Sequence, residues 1–318
     1  RLGNQIFEWA AGNYLSRRHQ RELCLMNNKA LVKIFKGPIS GDHDARPCLK
    51  RHNATHTNKI PVVKELGWAR YTSFDGMLPP GNVHLFGYFH SYRYLEGLES
   101  DIRTKLVHRA KDALSANLNL DAVRETLKLR RQVDALISVH VRVYGKQNPP
   151  PQYYANAMNW YRAYFAKRGQ RVGFVVVGQN GPNGECTKWV SDQWVFQASD
   201  TVVLKGERSL GSDLCLLSRT EHSILSKGSY GWWGAWLAGG LAIYWDQMRN
   251  ASAHTTRARA TSFSADDMYP STWQPLTGAV EKTSNAYIEL YPRGYAVSET
   301  NRTDYWPPLT ALRSVCAW

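Results

Sequence analysis

The sequence of 318 residues is poor in cysteine and has no long apolar run. Five cysteines occur, none in a Cys-x-x-Cys pair, and the odd number leaves at least one thiol unpaired within the chain. The longest uncharged apolar stretch, 231–245, is too short and too rich in glycine to cross a membrane. The chain also lacks an initiator methionine, so we expect either a fragment or a domain separated from an N-terminal anchor.

Acidic residues are scarce relative to basic ones. The chain has 26 Asp and Glu against 40 Lys and Arg, which gives a formal net charge of +14 and a pI of about 9.6. Such a balance favours nucleic acid, anionic membranes or phosphorylated ligands as partners. The basic residues are scattered, and their densest cluster, at 17–21, is short and has no stacking motif beside it. We therefore do not expect nucleic-acid binding.

Internal repeats and low-complexity segments are absent, and strands alternate with helices along the chain. The apolar fraction of 43% is ample for a core, and the length suits two domains. The alternation predicts an α/β fold with parallel sheets, divided near residue 132 into domains 1–131 and 132–318. The pattern predicts strands at 22–26, 83–89, 135–143, 172–177, 201–204 and 242–245. It predicts helices after a glycine turn at 2–5, and at 101–114, 121–129, 153–165, 213–219 and 232–238.

Two segments have the composition of an anion site. The apolar strand at 135–143 carries His140 and Arg142 near the edge where open α/β sheets bind ligands, and an arginine there suits a diphosphate. Further on, a short strand runs through Gly228 and Ser229 into an apolar helix, and the N–H groups of such a loop face phosphates well. A surface ion pair and a tight turn packed by tryptophans explain the same two patterns equally well.

Taken together, these segments resemble the α1,2-fucosyltransferase family. The opening residues 1–5 are similar to its N-terminal Gly-Arg-Leu-Gly-Asn-Gln loop without the first glycine, and 140–142 resemble its His-x-Arg-Arg motif. The run from Asp213 through His222 and Gly228-Ser229-Tyr230-Gly231 to Gly240 matches the C-terminal motif nearly position by position. The resemblance covers about residues 1–278.

The resemblance implies a GT-B arrangement, in which two Rossmann-like domains face each other across a cleft. Domain 1–131 is then on the acceptor side, and domain 132–318, with a C-terminal extension, binds the donor. The implied reaction is inverting transfer of fucose from GDP-fucose to a hydroxyl, the 2-hydroxyl above all, of a terminal β-galactoside. No metal or other cofactor is implied, because an arginine takes the place of the cation.

The resemblance also assigns roles to single residues. His140 and Asp213 are expected to hold the guanosine, and Arg142 the β-phosphate. Asn4 is expected near the donor from the other domain. The backbone N–H groups at Gly228, Ser229 and Tyr230 are expected around the diphosphate. Glu8, one helical turn beyond the opening loop, is the candidate catalytic base, and a solvated helix residue is the alternative explanation.

One motif departs from the family. Val143 stands where the family has its second arginine, and the following aspartate is absent. This departure keeps open an alternative function, a catalytically impaired homologue that binds glycans or a nucleotide. Lys146 is the nearby cation in the sequence.

The remaining motifs either suggest metal binding or concern the location of the protein in the cell. Asp42-His43-Asp44 has the Asp-x-Asp pattern of metal-dependent glycosyltransferases but does not close an apolar strand, and the spacing of Cys48, His52 and His56 suggests zinc only weakly. Asn-x-Ser/Thr sequons stand at Asn53, Asn250 and Asn301, about as many as chance gives. With the resemblance, they predict a glycosylated single-pass type II protein of the Golgi lumen.

Overall fold

The computed structural model describes residues 2–25, 29–36, 60–130, 132–143, 148–178, 185–246 and 263–276. The helices are α1 (Leu2–Arg18), α2 (Lys29–Ile34), α3 (Glu99–Lys105), α4 (Ala110–Arg130), α5 (Pro151–Ala166), α6 (Glu185–Asp192), α7 (Leu210–Leu217), α8 (Ser229–Ala238) and α9 (Ala265–Met268). Short 3-10 helices cover Tyr92–Leu95 and Trp194–Phe196. The strands are β1 (Val62–Lys64), β2 (His84–Phe86), β3 (Ala135–Val141), β4 (Val172–Gly178), β5 (Thr201–Val203), β6 (His222–Leu225), β7 (Ala242–Trp245) and β8 (Gln274–Leu276).

Six strands form one sheet in the order β5-β4-β3-β6-β7-β8, and every pair is parallel. This is the doubly wound order, which starts in the middle and builds outward in both directions. The predicted α/β class with parallel sheets is confirmed. Strands β1 and β2 form a separate parallel pair. The division into domains at residues 131 and 132 stays a prediction.

The sheet is covered on both faces, as its apolar strands require. In β3, Ile137 and Val139 belong to one core cluster, shared with α5 and α6. Leu136 belongs to the other cluster, shared with α1, α4, α7 and α8. Because side chains alternate along a strand, His140 lies on the same face as Leu136. The face that carries α8 therefore also carries the polar residue of the β3 motif.

Three local predictions from the sequence are wrong. Residues 2–5 are the first turn of α1, not a loop before it. Residues 22–25 form no strand, and none of the described strands pairs with them. The single helix predicted at 101–114 is two helices, because the backbone between them pairs with the end of α2: Lys36 donates to the Val107 carbonyl at 2.8 Å, and Arg109 to the Ile34 carbonyl at 2.9 Å.

Candidate active site

The two central strands of the large sheet end side by side. In the register His140 of β3 lies opposite Leu225 of β6, and the Ser226 N–H donates to the His140 carbonyl at 3.1 Å. From β3 the chain crosses to β4 and β5, whereas β6 leads to β7 and β8 on the other side. Connections that diverge in this way open a crevice at the carboxyl ends of the strands, which is where open α/β sheets bind ligands.

His140 is buried at this crevice. Its imidazole packs against Gly231 of α8, where an added Cβ would be 2.4 Å from Nδ1. Nδ1 is 3.3 Å from Ser226 Oγ, and Nε2 has no hydrogen-bond partner among the described residues. Burial, and then the charge of Arg142, lowers the pKa of His140 to about 3, so the ring is neutral at physiological pH. Nε2 is a candidate contact for a polar group of a ligand.

Arg142 extends beyond β3 towards the loop before α8. Its guanidinium passes so close to Gly228 that an added Cβ would be 2.6 Å from Nη1, and Gly228 has a φ of 98°, where side chains are strained. Burial lowers the pKa of Lys227, and the charge of Arg142 lowers it further. Two cations held together beside a glycine turn favour an anionic ligand.

Helix α8 begins in the same place. The first turn of a helix has N–H groups without intrahelical partners and carries a partial positive charge. Beside Arg142 and Lys227, this turn completes an arrangement of the kind that binds phosphate. The Tyr230 side chain takes no part in it, because the ring is buried and its hydroxyl donates to the Leu210 carbonyl at 2.5 Å.

Helix α1 meets the start of α8. Ser229 Oγ donates to Asn4 Oδ1 at 2.5 Å, and an added Cβ on Gly3 would be 2.6 Å from the Ser229 carbonyl carbon. His90 Nε2 is 3.3 Å from the same Asn4 oxygen, and Trp68 Nε1 is 3.3 Å from His90 Nδ1. Because an indole N–H can only donate, Nδ1 accepts and Nε2–H donates to Asn4. A hydrogen-bonded chain thus joins the N-terminal residues to the crevice.

Asp213 of α7 is already paired. Arg208 Nε donates to Asp213 Oδ1 at 2.6 Å, and both side chains are almost completely buried. Burial raises the pKa of Asp213, although the charge and hydrogen bond of Arg208 oppose the shift. The carboxylate lies near Tyr230, whose ring centroid is 5.7 Å from that of His140. Only Oδ1 is hydrogen-bonded within the described ranges, so Oδ2 can accept from a ligand.

Glu8 lies apart from these residues, one turn of α1 beyond Asn4. It lines a cavity of about 850 Å³ between α1 and residues 20–25 and 81–89. Burial raises the pKa of Glu8, and the charge of Glu65 adds to the shift. A half-buried carboxylate with a raised pKa is better suited to accept a proton near neutral pH than an exposed one.

Sequence reasoning placed His140, Arg142, Gly228, Ser229 and Asn4 in one site, and the structure brings these five together. It missed Lys227, although Lys227 lies inside the C-terminal motif, directly before Gly228. It also missed Trp68, His90 and Arg208. Nothing in the local sequence marks Trp68 or His90, because their position depends on how the 60–90 region packs against α1.

Several predictions concern residues outside the described ranges. These are the sequons at Asn53, Asn250 and Asn301, the Asp42–Asp44 motif, the histidines and cysteine at 43–56, and Lys146. In the part of the chain that is described, no three His, Cys, Asp or Glu side chains are grouped as a metal site would require. No helix in those ranges is long and apolar enough to span a membrane.

The chain is similar in sequence to a known protein family. A family model described as glycosyl transferase family 11 matches residues 77–274. The chain is 25% identical over 265 residues to galactoside alpha-(1,2)-fucosyltransferase 2 of Bos taurus, covering 77% of this chain and 68% of that protein. It is 27% identical over 262 residues to the protein of the same name from Sus scrofa, covering 77% and 69%. Fucosyltransferase NodZ from Bradyrhizobium aligns with a TM-score of 0.41 and 15% identity, over 73% of this chain and 88% of that chain. Because the family model covers more than half of its length, the chain belongs to glycosyl transferase family 11.

Proposed function

We propose that this protein transfers fucose from GDP-fucose to the 2-hydroxyl of a terminal β-galactoside, with inversion at the anomeric carbon. The observation that carries the proposal is the convergence of Arg142, Lys227 and the first turn of α8 at the switch point of the sheet. Family membership and the names of the relatives support fucosyl transfer over other reactions.

In the proposed complex the diphosphate lies between the Arg142 guanidinium and the N–H groups at the start of α8. The guanosine extends towards His140 Nε2 and Asp213 Oδ2, two polar atoms that have no hydrogen-bond partner among the described residues. A carboxylate oxygen accepts well from the N–H donors of guanine or from ribose hydroxyls. Asn4 holds Ser229 from the acceptor side, so both sides of the crevice contribute to the donor site.

The chemistry suits these groups. Breaking the bond between fucose and GDP gives an oxocarbenium-like transition state and moves negative charge onto the β-phosphate. Arg142, Lys227 and the helix N–H groups are fixed where this charge develops, so they stabilise the transition state more than the bound donor. We propose that these cations do the work that a metal ion does in metal-dependent transferases.

Inversion also requires a base that removes the acceptor proton. Glu8 is our candidate, because it lines the cavity beside α1 and lies one helical turn beyond Asn4, which is hydrogen-bonded to Ser229. Burial holds its pKa above that of an exposed glutamate, which brings the base closer to neutral pH. The acceptor hydroxyl would lose its proton to Glu8 as its oxygen attacks the anomeric carbon.

We further propose a lumenal location in the secretory pathway, with the domain anchored through a preceding segment. Cys24 is disulfide-bonded, which fits an oxidising compartment. Expression in animal cells and glycosidase treatment should lower the apparent mass through Asn53, Asn250 or Asn301. An unchanged mass would argue against this location.

The function is tested by donor binding and turnover together. GDP at about a hundred times its dissociation constant should stabilise the native state by about 2.7 kcal/mol, which raises Tm by about 4 °C in a chain of this size. UDP should give no comparable rise, and GDP-fucose should label a β-galactoside. Equal shifts with UDP would contradict the donor, and a selective GDP shift without any transfer would favour the nucleotide-binding homologue.

A further inference from the structure

Two aromatic side chains lie open to solvent beside the donor loop. Trp68 is 43% exposed and Tyr88 is 52% exposed, whereas His90, which both rings contact, is buried. The Tyr88 ring stacks on His90 with centroids 5.3 Å apart and an interplanar angle of 13°. Trp68 donates its indole N–H to His90 at 3.3 Å. His90 in turn donates to Asn4, which accepts from Ser229, so a chain of three hydrogen bonds links Trp68 to the donor loop. Tyr88 meets the same chain through its stacking on His90.

Both rings are held in place. Glu65 Oε2 accepts the Tyr88 N–H at 2.9 Å, and Glu65 itself donates its N–H to the Phe86 carbonyl at 2.9 Å. Phe89 is buried with a φ of 53°, a strained backbone that fixes the segment between Tyr88 and His90. Trp68 packs against Phe263 in a tilted arrangement, with ring centroids 4.8 Å apart and an interplanar angle of 38°. Rigid aromatic rings that remain exposed are not explained by packing of the core.

The location of the rings indicates what they bind. Tyr88 lines the same cavity as Glu8, the candidate base, and its ring reaches His90 beside the donor loop. Tyr88 thus connects the cavity that contains Glu8 with His90, which is hydrogen-bonded to Asn4. A flat aromatic ring covers the C–H face of a pyranose, and β-galactose has a continuous apolar face formed by the C–H groups at positions 3, 4 and 5 because its 4-hydroxyl is axial.

We propose that Trp68 and Tyr88 form the platform on which the galactosyl ring of the acceptor binds, an inference that rests on the proposed function. The apolar face of the sugar packs on the two rings, and its hydroxyls remain free at the edge for Glu8 and the anomeric carbon of fucose. The platform selects galactose over glucose, because an equatorial 4-hydroxyl removes the continuous C–H face.

The test compares Trp68→Ala and Tyr88→Ala with Trp194→Ala as the matched control. Trp194 is 64% exposed, on the short helix that packs against the opposite face of the large sheet. Each platform variant should raise the KM for methyl β-galactoside by roughly tenfold or more. In Tyr88→Ala, which leaves the hydrogen bonds of His90 in place, the Tm rise with GDP and the hydrolysis of GDP-fucose without acceptor should stay at wild-type values. Trp194→Ala should change nothing. Trp68→Phe should retain most of the affinity, because it keeps a ring and loses only the N–H.

A second measurement does not depend on turnover. Saturation-transfer NMR on the GDP-loaded protein should transfer magnetisation from aromatic protons to the protons at positions 3, 4 and 5 of methyl β-galactoside, and Trp68→Ala should abolish the transfer. Folded platform variants with a wild-type acceptor KM and wild-type transfer would overturn the inference while leaving the proposed function intact. Equal losses of GDP and acceptor affinity would also overturn it, since the rings would then act through His90 and Asn4 on the donor loop. A wild-type protein that neither prefers GDP nor transfers fucose would instead contradict the proposed function.

Discussion

Arg142 and Lys227 are the residues on which the proposed donor site depends most. Arg142 contacts Gly228 at the turn before α8, and its positive charge contributes to lowering the pKa of Lys227. The planar guanidinium can bind two phosphate oxygens at once, whereas an ammonium group acts as a point charge. We therefore expect Lys227 to retain part of the affinity for a diphosphate when Arg142 is removed, but not the orientation of the leaving group.

Arg142→Ala should lower kcat/KM for GDP-fucose by about tenfold to a few hundredfold, since a hydrogen bond to a charged group contributes about 1.5–3 kcal/mol. The affinity for GDP should fall with it. Arg171→Ala is the control, because Arg171 is exposed at the opposite, N-terminal end of β4 and should leave both quantities unchanged. If Arg142→Ala folded normally with wild-type turnover and GDP binding, the diphosphate would have to be bound elsewhere.

Val143, which replaces the family's second arginine, faces away from the donor site. It packs against the core cluster shared with α5, whereas Arg142 extends towards the loop before α8. The alternation of side chains along an extended chain accounts for the difference. Among the described residues, Lys227, which follows β6, lies close enough for the charge of Arg142 to lower its pKa. The altered motif therefore does not leave Arg142 as an isolated charge.

The role proposed for Glu8 predicts how kcat depends on pH. A base must be deprotonated, and burial raises the pKa of Glu8, so kcat should fall with decreasing pH at a midpoint above the ordinary glutamate value of 4.5. Glu8→Gln should lower kcat by about a hundredfold or more and remove this dependence. Glu125→Gln, at an exposed position of α4, should leave the profile intact. Normal turnover in Glu8→Gln would exclude it as the base.

At the scale of elements, the junction of α1 with α8 couples the two sides of the crevice. Gly3 allows the backbones to approach, and Asn4, one residue further, binds Ser229. The start of α8 is thus held by a helix more than 200 positions away in the sequence. A change in the separation of these helices moves the N–H groups that are proposed to bind the diphosphate.

Two glycine substitutions in α1 test this junction. In Gly3→Ala the new Cβ would be 2.6 Å from backbone atoms at the start of α8, whereas in Gly12→Ala it would be 2.8 Å from the flexible end of Leu23. Gly3→Ala should cost about 1–3 kcal/mol in the free energy of unfolding and lower GDP affinity. Gly12→Ala should be close to neutral, because better helix propensity offsets the movement of Leu23. Urea titration and GDP binding measure both effects, and equal results for the two variants would contradict the close approach.

At the scale of the whole molecule, the strand order determines which positively charged side chains lie close together. The net charge of +14 is spread along the sequence, yet the doubly wound sheet brings Arg142 and Lys227 together at its centre. Low-dielectric surroundings strengthen the field of such cations at a buried ligand. The fold thereby brings two positive charges into one crevice, where the proposed reaction needs them for a departing diphosphate.

Metal independence is the corresponding prediction. Fucosyl transfer should be unchanged after EDTA treatment and dialysis, because the charge on the leaving diphosphate is neutralised by side chains. Added Mn²⁺ or Mg²⁺ should not raise the rate. A complete loss of transfer with EDTA that Mn²⁺ restores would contradict metal independence and favour Asp42 and Asp44 as metal ligands.

The sequence by itself determined the family and most of the elements around the site. The resemblance found in the motifs is confirmed by the family match over residues 77–274. The strands at 135–141 and 172–178 could be predicted because they are buried on both faces and are therefore almost continuously apolar. The residues at 140–142 and 228–230 could be selected through the family resemblance of their motifs, since their composition suits phosphate but fits a surface ion pair and a tight turn as well.

Only the tertiary structure decided which residues meet. The strand order places the end of β3 beside the end of β6, and packing of α1 on α8 brings Asn4 to Ser229. Trp68 and His90 reach the site through hydrogen bonds between segments far apart in the chain. Which face of the sheet the Val143 side chain packs against depends on how the chain continues after β3. Local patterns record propensity and periodicity within a few residues, whereas these contacts depend on how whole elements pack, which no short segment encodes.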